Sequence, residues 1–234
     1  MTDLILHQDH APKGVRPSRL WLIDHVKFFF YRTFSHFDIP DRPWFDDEGT
    51  ELFERLLGDS DLYIEYGSGG STVLAASLGK SFVSVESDRR MSKDLQDRIG
   101  PSTESGRIVS VDIGATGAWG APLMTHPNDD RLERWSHYVT APWEQLQEDV
   151  LPDLVLVDGR FRVACALYSL IKLHAKPQAT ILFDDYRWRS HFHVIEDYAR
   201  LERMAGRMAV LHPDPDIPLD HLMTALRQHI ADWR

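Results

Sequence analysis

A chain of 234 residues, 43% hydrophobic and 26% charged, has the make-up of an ordinary soluble globular domain with an ample core. Its net charge of −10 argues against a nucleic-acid backbone as the main partner, because phosphate binding needs a basic face, although Arg160, Arg162, Arg187 and Arg189 could form a local basic patch. A single cysteine, Cys165, leaves no internal disulfide framework and fits a reducing compartment, so a cytoplasmic location is expected.

Residues 1–44 read as an aromatic-rich helical extension. Their start lacks the basic residues, apolar core and small-residue cleavage site of a signal peptide. The most apolar stretch, 20–37 (LWLIDHVKFFFYRTFSHF), is interrupted by Asp24, His25, Lys27 and Arg32 and is too short and polar for a transmembrane span. Its aromatics suit packing on the domain or on a second copy, and a homodimer through this helix is one expectation. Residues 46–57 (DDEGTELFERLL) read as a capped amphipathic helix opening the main domain, 45–213. From residue 60 onward strand and helix signals alternate, which is the signature of a doubly wound, mostly parallel α/β sheet of Rossmann-like kind. Strands are expected at 61–66, 81–86, 107–112, 153–158 and 179–184, with a sixth at 208–211. Helices are expected at 71–79, 89–99, 162–174 and 190–203. Residues 214–234 supply a C-terminal helix (219–233) packed on the same domain. The segment from Gly114 to Val150 is too long for a plain connection, and its tryptophans, tyrosine and histidines suit an acceptor pocket.

The first strand stops on an acid and turns through glycines into a helix: Glu65-Tyr66-Gly67-Ser68-Gly69-Gly70-Ser71-Thr72. Glycine supplies positive φ and lets a ligand approach bare backbone, and the helix aims its free N–H groups at that ligand. A dinucleotide would place a pyrophosphate dianion here, which Glu65 repels, and Thr72 occupies the last glycine position of the dinucleotide pattern. S-adenosylmethionine (SAM) places a methionine tail here, whose ammonium wants an acid and whose carboxylate wants N–H groups. The second strand also ends on an acid, Glu86, where a carboxylate at a strand tip takes both ribose hydroxyls; the alternative is a solvated strand-end cap.

These motifs resemble those of class I SAM-dependent methyltransferases, with Glu65 to Ser71 as the first motif. The resemblance implies that Glu65, Gly67, Ser68, Gly69, Gly70 and Ser71 hold the methionine tail and Glu86 the ribose. It also implies that Asp112 and the Ile113 N–H take the adenine; Asp112 equally suits a turn cap. Asp158 ends the fourth strand, and Asp184 with Asp185 ends the fifth. This pattern is similar to that of metal-dependent small-molecule O-methyltransferases, in which such acids hold Mg2+. The lysine or histidine that those enzymes carry after the fourth-strand acid is replaced here by Arg160-Phe161-Arg162. The alternative is that Asp158 contacts SAM directly and Asp185 caps the next segment. Asp158, His191 and His193 are the candidate catalytic groups, and Arg160 and Arg162 are candidate anion binders. Residues 112–120, 157–164 and 183–186 are closer in wording to uncharacterised bacterial methyltransferase-like proteins, a similarity covering 45–212. An antiparallel seventh strand, usual in the family, is not evident. The expected function is SAM-dependent O-methylation of a small molecule. A catalytically inactive SAM-binding protein and a metal-dependent enzyme of another class are the alternatives.

Overall fold

The computed structural model describes residues 37–100 and 105–234. The aromatic helix expected near 20–37, and the dimer contact assigned to it, therefore lie almost wholly outside the described residues. No described helix is long and apolar enough to cross a membrane.

Helix α1 (Asp47–Asp59) starts where Asp46 accepts the Gly49 N–H at 2.9 Å, with Asp47 and Glu48 facing the positive end of the dipole. The chain then alternates through β1 (Leu62–Tyr66), α2 (Gly70–Ser77), β2 (Ser81–Glu86), α3 (Arg89–Ile99) and β3 (Gly106–Ser110). Helix α4 (Asp129–Glu144), β4 (Leu154–Val157), α5 (Arg162–Lys172) and β5 (Thr180–Phe183) follow, and then β6 (Arg200–Ala205), β7 (Met208–His212) and α6 (Leu219–His229). The strands form one seven-stranded sheet in the order β3-β2-β1-β4-β5-β7-β6. β1 to β5 run parallel, while β7 lies antiparallel to both β5 and β6.

Parallel central strands are covered on both faces and so read as continuous apolar runs, as LVLV in β4 and TILF in β5 do. On one face, Tyr63, Phe82, Leu154 and Leu156 pack with Leu52, Phe53 and Leu57 of α1 and Ala75 of α2. On the other, Ile64, Val83, Val155 and Ile181 pack with Trp135 and Tyr138 of α4, Leu167 of α5 and Leu222 of α6. Tyr66 ties α4 to the sheet: its hydroxyl donates to the Val139 carbonyl at 2.7 Å and accepts from Trp143 Nε1 at 2.8 Å.

Three sequence expectations need correction. The helix expected at 190–203 is a 3-10 turn (Ser190–Asp197) followed by the edge strand β6. The strand expected at 208–211 is the antiparallel partner of that edge, so the seventh strand is present. The long connection after β3 contains a sixteen-residue helix, α4, capped by Asn128 accepting from Arg131 N. Its Trp135, Tyr138 and Trp143 are core residues rather than pocket walls.

Candidate active site

Strand register sets the site. Tyr66 lies beside Val85 and Val157, and Val157 lies beside Phe183. The next residue or two of each strand, Gly67, Glu86, Asp158 and Asp184, therefore emerge along one edge. The order reverses between β2-β1 and β1-β4, and open α/β sheets bind ligands at such a switch point.

The turn after β1 is tightly built. Gly67 takes φ 91°, and a Cβ there would come within 2.7–2.8 Å of the backbone of Asp158 and Gly159. Gly159 is constrained from the opposite side, with Gly67 N 2.8 Å from where its own Cβ would lie. Gly70 lies beneath the backbone of Arg42, which any side chain there would strike. Gly69 faces open space, with nothing within 4 Å of its Cβ position, so a ligand can reach the backbone there. Residues 37–46 run along the same edge: Phe37 N donates to Asp94 at 3.0 Å, and Arg207 Nη2 donates to the Trp44 carbonyl at 2.6 Å.

Glu65 braces this turn from beneath. Its carboxylate accepts from Ser71 Oγ, from Thr72 Oγ1 at 2.6 Å and from Ser84 Oγ at 2.8 Å. Thr72 Oγ1 also accepts the Gly69 N–H at 2.9 Å, and Ser68 Oγ lies 2.6 Å from Ser84 Oγ. Burial raises the Glu65 pKa against these hydroxyls, and at 0% exposure it offers no oxygen to the crevice in this conformation. Thr72 and Ser84 escape motif reading because each is a hydroxyl on an apolar element.

Glu86 is more open. Its Oε1 accepts from Asp88 N at 2.7 Å and Ser87 Oγ at 3.3 Å, while Oε2 has no hydrogen-bond partner among the described residues. Burial pushes its pKa to about 7 despite those donors. Asp112 lies just past β3 and is exposed; it accepts from Gly114 N at 2.9 Å and pairs with Arg134 of α4 at 2.6 Å. Ile113 is buried, its carbonyl taken by Trp135 Nε1 at 3.2 Å.

Asp158, Asp184 and Asp185 come together, with one oxygen from each lying within 4.8 Å of the others. Arginines already fill this cluster. The Asp184 carboxylate, 1% exposed, accepts Arg207 Nε at 2.9 Å and Nη2 at 2.8 Å. Asp158 pairs with Arg162 at 2.9 Å, and Asp185 with Arg189 at 3.0 Å and Arg207 at 3.4 Å. Arg162 is a buried cross-brace whose guanidinium also donates to the Gly159 and Asp184 carbonyls, at 2.9 and 2.8 Å. Three guanidinium groups balance three carboxylates, so the donor set as arranged does not fit a magnesium ion, which needs unengaged carboxylate oxygens. Burial raises the Asp158 pKa to about 7, with Asp184 and Asp185 adding to the rise and Arg162 opposing it. Its side chain keeps 32% exposure, so water tempers that rise.

The two histidines differ. His191 has a buried Nε2 without a partner, and burial, then Arg234, lowers its pKa. His193 is exposed, stacks on Tyr186 and places Nε2 3.2 Å from the Tyr186 carbonyl. Arg160 is held with a buried, unpartnered Nε, and burial, then Arg162, lowers its pKa to about 10. Over this region the 118–120 turn carries Trp119, 59% exposed, which meets the exposed Trp44 edge-on at 6.2 Å. Gly159 follows a strand-end aspartate, a turn signal visible in the sequence; Arg207 has no local signal at all.

No family model matches this chain, and no curated protein matches it. Among solved structures, a methyltransferase-like protein from Silicibacter pomeroyi is 36% identical, with a TM-score of 0.68 over 83% of this chain and 100% of that one. An O-methyltransferase from Bacillus cereus, solved with S-adenosylhomocysteine (SAH), is 12% identical at TM-score 0.47, over 85% and 93% of the two chains. A putative methyltransferase from Escherichia coli is 17% identical at TM-score 0.43, over 73% and 85%.

Proposed function

We propose a function on one premise: this chain belongs to the class I SAM-dependent methyltransferase superfamily. The chain binds SAM along the carboxyl ends of β1 to β4 and methylates a hydroxyl or carboxylate oxygen of a small-molecule acceptor. One observation carries this reading. The open backbone at Gly69 lies on the same edge as Glu86, whose Oε2 has no partner among the described residues. A methionine tail needs the close approach that the first allows, the Gly69 N–H itself being held by Thr72 Oγ1, and a ribose needs the second.

In this reading the backbone of Gly67, Ser68, Gly69, Gly70 and Ser71 receives the methionine tail, while Glu65 holds that turn in shape. Glu86 accepts from the ribose hydroxyls, and Asp112 with Ile113 borders the adenine. When bound, SAM supplies an electrophilic methyl group on a sulfonium, and in-line displacement needs positioning and desolvation more than acid-base help. Asp158 is the proposed acceptor of the substrate proton, a role supported by the rise of its pKa toward about 7 on burial against the opposing Arg162. His191 is a second candidate base, neutral at physiological pH because burial lowers its pKa. His193 engages Tyr186 and has a weaker claim. No step is routed through a metal.

Calorimetry with SAH, and transfer of labelled methyl from SAM to a panel of hydroxy and carboxylic acids, tests this reading. SAH is expected to bind without competition from NAD or ATP, and Gly69→Val to abolish binding in a folded protein. Tight NAD binding with no SAH affinity would sink the reading. SAH binding with no transfer to any acceptor would favour a non-catalytic SAM-binding role.

A further inference from the structure

At the ends of β4 and β5, four arginines face three aspartates. Arg162, Arg189 and Arg207 are each paired with Asp158, Asp184 or Asp185. Arg160 is not: no carboxylate among the described residues lies within ion-pair distance of it, and its Nε is buried without a hydrogen-bond partner. Glu86, the next acid along the edge, is held by Asp88 N and Ser87 instead. A guanidinium nitrogen buried without a partner is costly, and a half-buried arginine of this kind suits an anion that comes to meet it.

The position of this spare charge is defined. Its backbone N–H approaches the Tyr138 hydroxyl at 3.4 Å, and its Cγ lies 3.9 Å from the Cβ position of Gly120, beneath the turn carrying Trp119. The Arg160 stem thus lies between the turn that follows β4 and the 118–120 turn. A guanidinium presents a planar fork of donors that matches a carboxylate or phosphate in two parallel bonds.

We propose that Arg160 is the anion anchor of the acceptor site, so that the methyl acceptor carries a carboxylate or phosphate group. This rests on the methyltransferase reading and narrows its substrate class.

The test uses SAH-saturated protein and three probes: benzoate, phenyl phosphate and the neutral benzamide, each followed by calorimetry and melting temperature. One or both anions should bind while benzamide does not, and whichever anion binds identifies the oxyanion. Arg160→Met should weaken that binding at least tenfold, Arg160→Lys less, while both variants keep SAH affinity within twofold and so report a folded cofactor site. Three results overturn the assignment: equal binding of benzoate and benzamide, anion binding retained in Arg160→Met, or a tenfold loss of SAH affinity. The last would give Arg160 to the carboxylate of the cofactor. If the wild type binds no SAH, the methyltransferase reading falls and takes this assignment with it. If SAH binds and the anion arms fail, only this assignment falls.

Discussion

Glu86→Gln should make the unliganded protein more stable and the cofactor site worse. Burial moves the Glu86 carboxyl from an ordinary 4.5 to about 7. At about 1.4 kcal/mol per pH unit, holding that group ionised costs the folded state about 3 kcal/mol above pH 7. The sign follows from proton binding. Between pH 4.5 and 7 the folded protein holds the proton and the unfolded chain has lost it, so stability falls as pH rises through this window and then levels off. Glutamine keeps the acceptor for Asp88 N and removes the charge. Urea unfolding should therefore show Glu86→Gln more stable than wild type at pH 8 by up to about 3 kcal/mol. That is several degrees of melting temperature for a chain of this size. At pH 4 the two proteins should be nearly equal. Asp158 titrates in the same window, so both proteins retain some pH dependence and their difference is the quantity to read. SAH affinity at pH 8 should fall by about 1.5–3 kcal/mol, the scale of a hydrogen bond to a charged group. A variant no more stable than wild type at pH 8, or equally stabilised at both pH values, would show that Glu86 carries no burial cost and refute the argument.

Three further outcomes are expected. Arg207→Met strands the buried Asp184 carboxylate without its two guanidinium bonds and should cost about 3–5 kcal/mol in urea unfolding; a loss under 1 kcal/mol would show that water or Arg162 replaces it. Magnesium at millimolar concentration should leave the melting temperature of the wild-type protein unchanged, because the three-aspartate cluster is already neutralised; a rise that saturates with dose would restore the metal reading. Once an acceptor is found, kcat should rise with pH through about 7 as Asp158 ionises, and Asp158→Asn should remove that limb. A limb that survives the substitution and centres below the ordinary histidine value would point to His191 instead.

The central half of the fold was legible because its signals are local. Alternating apolar runs, the glycine turn and the strand-end acids each lie within a few residues, and the family they suggest is the one to which the chain belongs. The far edge was not legible. β6 is an edge strand with exposed Arg200, Leu201, Glu202 and Arg203 and a bulge between Leu201 and Arg203, so charge and irregularity erase its alternation. Helix α4 was not read from the sequence either, although Asn128 caps it ahead of Asp129 and Asp130, because its aromatics equally suit a pocket wall. The strand-end aspartates show the deeper limit. Sequence places three acids at two strand tips, yet their counter-charges come from Arg162 and from Arg207, which sits in a turn between later strands. No spacing rule connects Arg207 to Asp184.

The crossing of Gly67 and Gly159 carries a consequence for how this chain tolerates mutation. Each glycine occupies the room that a side chain on the other would need; the obstacle at Gly67 is main chain throughout, and at Gly159 the backbone of Tyr66 and Gly67 still blocks a Cβ even if the Tyr138 hydroxyl, which is nearer, were removed. No second-site change elsewhere can make that room, since replacing a neighbouring side chain leaves the backbone where it is. In a saturation library selected for folded protein, both positions should therefore accept glycine alone, in every genetic background. Gly69, a few atoms away and facing open space, should accept many residues in the same selection and lose them only when cofactor binding is demanded. The contrast between the two selections would separate the residues that build the turn from the one left bare for a ligand.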